Sequence, residues 1–116
     1  MSQRLRRSAK TAALQNCAPV FAALGDETRL RLIAALCVGG AMSITQLTAG
    51  TDLTRQAVTK HLAVLGEAGL ARHLKVGRER LWEFEPGQLE EARRSLEVIA
   101  AEWDHALEKL RLAVER

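Results

Sequence analysis

Apolar residues in the first third of the chain recur at helical spacing, and glycines separate the resulting segments. Pro19 fits the first turn of a short helix that Gly25 ends. Asp26 is a suitable N-cap for a second helix, which Gly39 and Gly40 stop. The spacing i, i+3, i+4, i+7 in that helix predicts an inward stripe made of Leu30, Ile33, Ala34 and Cys37.

Two more short helices follow, and a tight turn joins them. Ser43 begins the segment SITQLTAG, which has Ile44 and Leu47 as its inward pair. Thr54 caps the next helix, whose predicted buried face consists of Ala57, Val58, Leu62 and Leu65. If these residues face the core, the polar side chains of the first two turns must point outwards; they are Arg55, Gln56, Thr59 and Lys60.

The period of the pattern changes after residue 70. Two β-compatible runs, ARHLK and RLWEF, flank VGRE, which predicts a β-hairpin over residues 71–84. Beyond Pro86 and Gly87, apolar positions step alternately by three and four up to residue 113, as in a heptad seam. Because the small core is used elsewhere, we expect helix 87–114 to form a homodimer interface. The expected interface residues are Leu89, Leu96, Ile99, Trp103, Ala106 and Leu110.

Composition and charge indicate one globular domain with a basic body. The 116 residues are 47% apolar and 27% charged, which suits a single domain. Residues 1–80 carry 12 Lys and Arg against 5 Asp and Glu, a net +7, whereas residues 81–116 carry 5 against 9, a net −4. A basic body suits a polyanionic partner. Residues 1–10 hold four cations and no acid, so we expect a mobile arm or a frayed helix start there, and the domain over residues 11–116.

Two helices joined by a tight turn and followed by a hairpin have the order of a winged helix-turn-helix. A short helix fits the major groove of DNA, where Arg or Lys can bind guanine, Gln can bind adenine and a Thr methyl can touch thymine. In the helix-turn-helix, residues 43–65, the predicted DNA contacts are Ser43, Thr54, Arg55, Gln56, Thr59, Lys60 and His61. In the wing, residues 71–84, they are Lys75, Arg78 and Arg80. Two simpler roles stay open: pure helix capping for Ser43 and Thr54, and a solvated helix face for Arg55, Gln56, Thr59 and Lys60.

The run FAALGDETRLRLIAAL and the following SITQLTAGTDLTRQAVTKHLAVLGEAGLARHLKVGRERLWEF resemble the ArsR/SmtB family of bacterial winged-helix repressors. The resemblance covers about residues 18–114, and its most specific pieces are GDETRLRLI, TRQAVTKHLAVLGEAGL and VGRERLWEF. It implies a recognition helix at residues 54–65, a homodimer joined by the first and last helices, and repression from an operator with two half-sites.

The chain departs from the family at its metal sites. Metal-sensing members carry a Cys-x-Cys pair at the start of the helix-turn-helix, where this chain has Ser43 and Thr45, and hydroxyls do not replace thiolates for such metals. The alternative metal site on the last helix needs an Asp-x-His pair, whereas here Asp104 and His105 are adjacent. Glu102, His105 and Glu108 share a face of the helix, but one His among surface Glu residues is usually solvated. We therefore expect no metal and no cofactor, and the sequence indicates no inducer.

The two cysteines, Cys17 and Cys37, lack the spacing of a metal site or a disulfide framework. We expect both to be small apolar core residues. Oxidation of this pair as an inducing switch stays open as an alternative.

Several function classes are disfavoured. No apolar run has the length of a membrane helix and no leader pattern follows the basic start, so we expect a cytoplasmic protein. His61, His73 and His105 lack catalytic partner patterns and no glycine-rich phosphate loop occurs, so we expect no enzyme. Two alternatives to a sequence-specific regulator remain: a non-specific architectural DNA-binding protein and a winged-helix module that binds protein. They differ from a repressor in the salt and sequence dependence of DNA binding.

Overall fold

The computed structural model describes residues 3–115, with side chains from residue 9 onward. Within this range the chain forms six helices and three strands. In order they are α1 (Gln3–Asn16), α2 (Ala18–Leu24), α3 (Glu27–Gly39), β1 (Met42–Ser43), α4 (Ile44–Ala49), α5 (Arg55–Glu67), β2 (Ala71–Val76), β3 (Glu79–Phe84) and α6 (Pro86–Val114). The predicted winged helix-turn-helix architecture, mainly helical with a hairpin, is confirmed.

Helix α1 occupies most of the segment for which we expected a mobile arm or a frayed helix start. Residues 3–10 are helical and continue without a break to Asn16. The segment contains no Gly or Pro and is rich in Arg, Ala, Leu and Gln, which are strong helix formers. Residues 1 and 2 of the expected arm lie outside the described residues.

The predicted helix starts are confirmed by their capping hydrogen bonds. The carboxylate of Asp26 and the hydroxyl of Thr54 each accept a bond from the backbone N–H three residues ahead, at 3.0 and 3.1 Å. At α4 the cap is reciprocal, because Ser43 Oγ accepts from the Gln46 backbone N–H and Gln46 Oε1 accepts from that of Ser43. These bonds satisfy N–H groups that a helix start leaves without an intrahelical partner.

The three strands form one antiparallel sheet in the order β1-β3-β2. The hairpin is as predicted, with Ala71 opposite Phe84 and Val76 opposite Glu79. Gly77, the first of two loop residues, has a φ of +64° and Arg78 has a negative φ, the pattern of a type II′ turn. Strand β1 was not predicted, since two residues are too few to show an alternating pattern.

The core lies between α2, α3, α5, the first turns of α6 and one face of the sheet. Val58, Leu62 and Leu65 of α5 are fully buried, as predicted, and Leu47 of α4 joins them. On the sheet side, the Trp82 ring closes the core, with the His73 ring edge-on at 5.3 Å.

The predicted inward stripe of α3 is wrong except at Ile33. The helix buries Leu32, Ile33 and Leu36, whereas Leu30 is 50% exposed and Cys37 is exposed. The reason is that residues 32–38 are all apolar, so periodicity alone could not choose the inner face. The expectation that Cys37 is a core residue is therefore also wrong.

Cys17, by contrast, is buried as expected and is a free thiol. Its Sγ lies 3.6 Å from the Oγ of Ser95, a buried polar residue on α6. The pair joins the start of α2 to the final helix inside the core.

Only the first third of α6 packs on the core of its own chain. Ala92 and Ser95 are buried, but from Leu96 onward the large apolar side chains of α6 are exposed, except that of Val98, which is half-buried. The radius of gyration is 19.1 Å, against about 13 Å for a compact domain of roughly 100 residues. Helix α1 packs beside α6. No helix within residues 3–115 is long and apolar enough to cross a membrane.

Candidate nucleic-acid interface

Helix α5 presents a polar surface because its apolar side is fixed on the core. With Val58 and Leu62 fully buried, helical geometry turns the polar side chains of its first turns outwards. The exposed residues are Arg55, Gln56, Thr59 and Lys60, as the sequence predicted. This surface is thus available to a partner.

The side chains on this surface differ in how they are held. The Thr59 hydroxyl donates to the backbone carbonyl of Arg55 at 2.8 Å, so its proton is used within the helix. The Arg55 guanidinium donates through Nη1 to Thr45 Oγ1 on α4, also at 2.8 Å. Gln56 and Lys60 make no side-chain hydrogen bond with residues 9–115.

His61 lies apart from the other predicted contacts. Its ring is half-buried between α5 and the start of α3, with Nδ1 3.4 Å from Arg29 Nη1 and 3.9 Å from Asp26 Oδ2. The same Arg29 donates to the carbonyls of Ala22 and Ala23 at the end of α2. Sequence reasoning missed Arg29, and the only signal for it was a cation three residues after the N-cap.

Hydrogen bonding and charge act together on the Asp26 carboxylate. The backbone N–H of Arg29 lowers the pKa of Asp26, and the positive charge of Arg29 and the His61 ring act in the same direction. Partial burial opposes them, but the net direction is downward. Asp26 therefore favours its charged form, which also suits the positive end of the α3 dipole.

The wing places two cations directly opposite each other. In the hairpin register, Lys75 pairs with Arg80, so their Cβ atoms lie within about 4.5–5.5 Å. Like charges in this arrangement destabilise a hairpin. Arg72, in contrast, forms ion pairs with Glu83 and Glu85, which raise the pKa of Arg72 and neutralise its charge.

A groove of about 610 Å³ joins the helix-turn-helix to the wing. It is lined by Ser43, Ile44, Thr45, Gln46, Arg55, Arg78, Glu79 and Arg80. Of the predicted DNA contacts, the groove brings together Ser43, Arg55, Arg78 and Arg80. Gln56, Thr59 and Lys60 lie on the exposed side of α5, and Thr54 caps that helix.

The arginines of this surface differ from those of α6 in their ion pairing. On α6, Arg93, Arg94 and Arg111 all pair with Glu residues three or four positions away. Across the side chains of residues 9–115, the cations of α5 and the wing tip form no ion pair; they are Arg55, Lys60, Lys75, Arg78 and Arg80. The same stretch holds no group of three His, Cys, Asp or Glu side chains placed to bind a metal.

The sequence and the fold are similar to those of known transcriptional regulators. Residues 24–73 match the model of a helix-turn-helix domain. The chain is 35% identical over 71 residues to the uncharacterized HTH-type transcriptional regulator YuzN of Bacillus subtilis (strain 168). The aligned region covers 56% of this chain and 77% of that protein.

Solved structures extend the similarity over nearly the whole chain. An ArsR-like transcriptional regulator from Rhodococcus sp. RHA1 superimposes with a TM-score of 0.75 and is 38% identical, covering 90% of this chain and 94% of that one. A possible transcriptional regulator for arsenical resistance gives a TM-score of 0.60 at 31% identity, covering 78% and 90%. This chain therefore belongs to the ArsR family of winged helix-turn-helix transcriptional regulators.

Proposed function

We propose that the protein is a sequence-specific repressor that binds a two-half-site operator as a homodimer. The observation that carries this proposal is the set of cations on α5 and the wing tip, whose three arginines have no ion pair among the described side chains, although most other arginines there do. Lys75 and Arg80 even face each other across the hairpin. A polyanion resolves this repulsion, and duplex DNA is the polyanion that an exposed helix of this kind fits.

Specific recognition is assigned to the exposed face of α5. Gln56 and Lys60 have no hydrogen-bond partner among the side chains of residues 9–115, and Thr59 keeps its methyl group, so the face can read base edges as well as phosphates. This mixture favours a specific regulator over an architectural DNA-binding protein. His61 contacts Asp26 and Arg29, so it joins α5 to the start of α3 instead of facing the partner.

Dimerisation is assigned to α6 together with α1. Leu96, Ile99, Trp103 and Leu110 are between 47% and 63% exposed along one seam. Monomeric proteins seldom expose a contiguous apolar surface of this kind. A second copy presents the same surface, and a two-fold dimer would place two recognition helices on one side of the assembly.

Fluorescence anisotropy tests this function. We would compare the DNA upstream of the protein's own gene with a shuffled duplex of equal length at about 150 mM salt. A repressor should prefer one fragment by about 10³-fold or more. Equal weak binding to both would favour the architectural role, and binding to neither would favour a protein partner.

A Lys109→Ala variant provides the matched control for this experiment. Lys109 is an exposed cation on α6, away from α5 and the wing. Its removal changes net charge as much as Lys60→Ala does, so a loss with Lys60→Ala alone would locate DNA on the α5 face.

A further inference from the structure

Arg55 is directed differently from its neighbours on α5. Its guanidinium donates to Thr45 Oγ1 on α4 at 2.8 Å, and Arg55 is one of the residues that line the groove between α4 and the wing tip. Gln56, the next residue, has no such bond within the described side chains. A side chain held towards α4 is poorly placed to read the base edges that the exposed face of α5 would meet.

The groove that receives Arg55 has the chemistry of an oxyanion site. Three arginines, Arg55, Arg78 and Arg80, line it together with the hydroxyl-bearing residues Ser43 and Thr45. One carboxylate, that of Glu79, is also present, but it forms no ion pair with these arginines in the described chain. Arginine forks match the geometry of phosphate oxygens and can bind them bidentately.

We propose that this groove binds one phosphodiester of the DNA backbone, held jointly by Arg55 and by Arg78 and Arg80 of the wing tip. Arg55 thus anchors the backbone, and Gln56 and Lys60 read the bases. Thr45 is a positioning residue, because its hydroxyl directs the guanidinium of Arg55. The inference rests on the proposed function in that it takes duplex DNA as the partner. A backbone strand held between helix and wing would fix the register of the protein on the duplex.

The test compares Arg55→Ala with Gln56→Ala on the preferred fragment and on a shuffled duplex, over a series of salt concentrations. Arg55→Ala should weaken binding to both duplexes by the same factor, roughly tenfold or more for a charge-assisted hydrogen-bonded contact. It should also lower the salt slope by about one for each protomer that loses a phosphate contact. Gln56→Ala should reduce affinity for the preferred fragment only. Arg55→Lys should keep the salt slope while losing affinity, since it keeps the charge and loses the fork.

Two further variants examine the shared site. If Arg55 and Arg80 hold the same phosphate, the affinity loss of the Arg55→Ala, Arg80→Ala double variant should be smaller than the product of the single losses. Thr45→Val should weaken both duplexes with little change in thermal stability, and Thr45→Ser, which keeps the hydroxyl, should restore binding.

The outcomes separate this inference from the proposed repressor function. A loss with Arg55→Ala confined to the preferred fragment, with an unchanged salt slope, would make Arg55 a base reader and overturn the inference. Unchanged binding to both duplexes would overturn it as well. If the wild-type protein shows no sequence preference, the repressor proposal fails, yet a lowered salt slope with Arg55→Ala would still establish the phosphate site.

Discussion

Asp26 and Arg29 link three helices through a few polar contacts. Asp26 caps α3, and Arg29 joins the end of α2 to His61 on α5. The lowered pKa of Asp26 follows from these contacts, with the Arg29 backbone bond first. Helix α5 therefore meets the start of α3 through polar contacts that include the charged carboxylate of Asp26.

The first prediction concerns the pH dependence of stability. The folded pKa of Asp26 is below its unfolded value, so its contribution is present above the unfolded pKa and is lost as pH falls through the folded pKa. Below about pH 4, near the ordinary Asp pKa, the free energy of unfolding of the wild type should decline. Asp26→Asn keeps a capping oxygen but cannot titrate, and it should decline less in urea unfolding measured across this range.

Glu90 and Glu108 also have pKa values lowered by arginine partners on α6, so wild type and variant will share part of the decline. The difference between the two curves isolates Asp26. If the free energies of unfolding of the wild type and Asp26→Asn fell in parallel with pH, Asp26 would not contribute to the acid dependence of stability. Glu102→Gln, at an exposed acidic position without an ion pair among the described side chains, provides the matched control.

At the residue scale, local chemistry was predictable and tertiary contacts were not. The caps at Asp26, Ser43 and Thr54 follow from residues within one turn, and all three are confirmed. His61 faces Arg29 across 32 positions of sequence, a contact that periodicity does not encode. The roles assigned to the DNA-contact residues remain proposals.

At the scale of single elements, the wing contains an arginine whose charge is neutralised by glutamates and, nearer its tip, two cations that face each other. Arg72 pairs with Glu83 and Glu85, while Lys75 faces Arg80 nearer the tip. The two-residue turn at Gly77 fixes the strand register, and with it this like-charge pair. Affinity for a polyanion and stability of the hairpin are thus opposed at this position.

The second prediction uses this opposition. Lys75→Glu creates an oppositely charged pair with Arg80, which should stabilise the protein by about 0.2–1 kcal/mol in chemical unfolding. The same change should weaken DNA binding, because it replaces a cation by an anion at the proposed interface. Arg72→Gln, on the neutralised pair, should leave DNA affinity unchanged. A Lys75→Glu variant that bound DNA as tightly as the wild type would contradict the placement of the wing.

The third prediction tests which face of α3 is buried. Leu32 is 1% exposed and Leu30 is 50% exposed, so the same substitution at these two positions probes opposite faces. Leu32→Ala should lower the free energy of unfolding by about 2–5 kcal/mol. Leu30→Ala should lower the free energy of unfolding much less. A larger loss with Leu30→Ala than with Leu32→Ala would support the inward face that periodicity predicted. Helix α3 shows why a continuous apolar run predicts a helix without predicting its orientation.

At the scale of the whole molecule, the chain divides into a compact head and an extended helical arm. The principal extents of 67 × 31 × 20 Å reflect the projection of α6 beyond the core. Charge follows the same division, because residues 1–85 carry 12 Lys and Arg against 7 Asp and Glu, a net +5, whereas residues 86–116 carry 5 against 7, a net −2. An acidic arm is repelled by DNA, which suits a helix that packs on another protein chain.

The fourth prediction concerns assembly through this arm. Trp103→Glu places a charge in the exposed apolar seam of α6 and should give monomers, because an unpaired charge buried at an interface is strongly unfavourable. Sedimentation velocity measures this directly. His105→Glu introduces the same charge on the other side of the helix and should remain dimeric. If Trp103→Glu also remained dimeric, the interface would lie elsewhere, and the heptad seam read from the sequence would not be the contact surface.

Glu85 alone separates the wing from α6. The strand β3 ends at Phe84 and α6 begins at Pro86, while the Glu85 N–H donates to the carbonyl of Leu70 and its carboxylate pairs with Arg72. The junction is a single residue held by both a backbone hydrogen bond and a side-chain ion pair, so it has little conformational freedom. We therefore expect the hairpin and α6 to move as one rigid unit, so that a change in the tilt of α6 would also shift the wing tip.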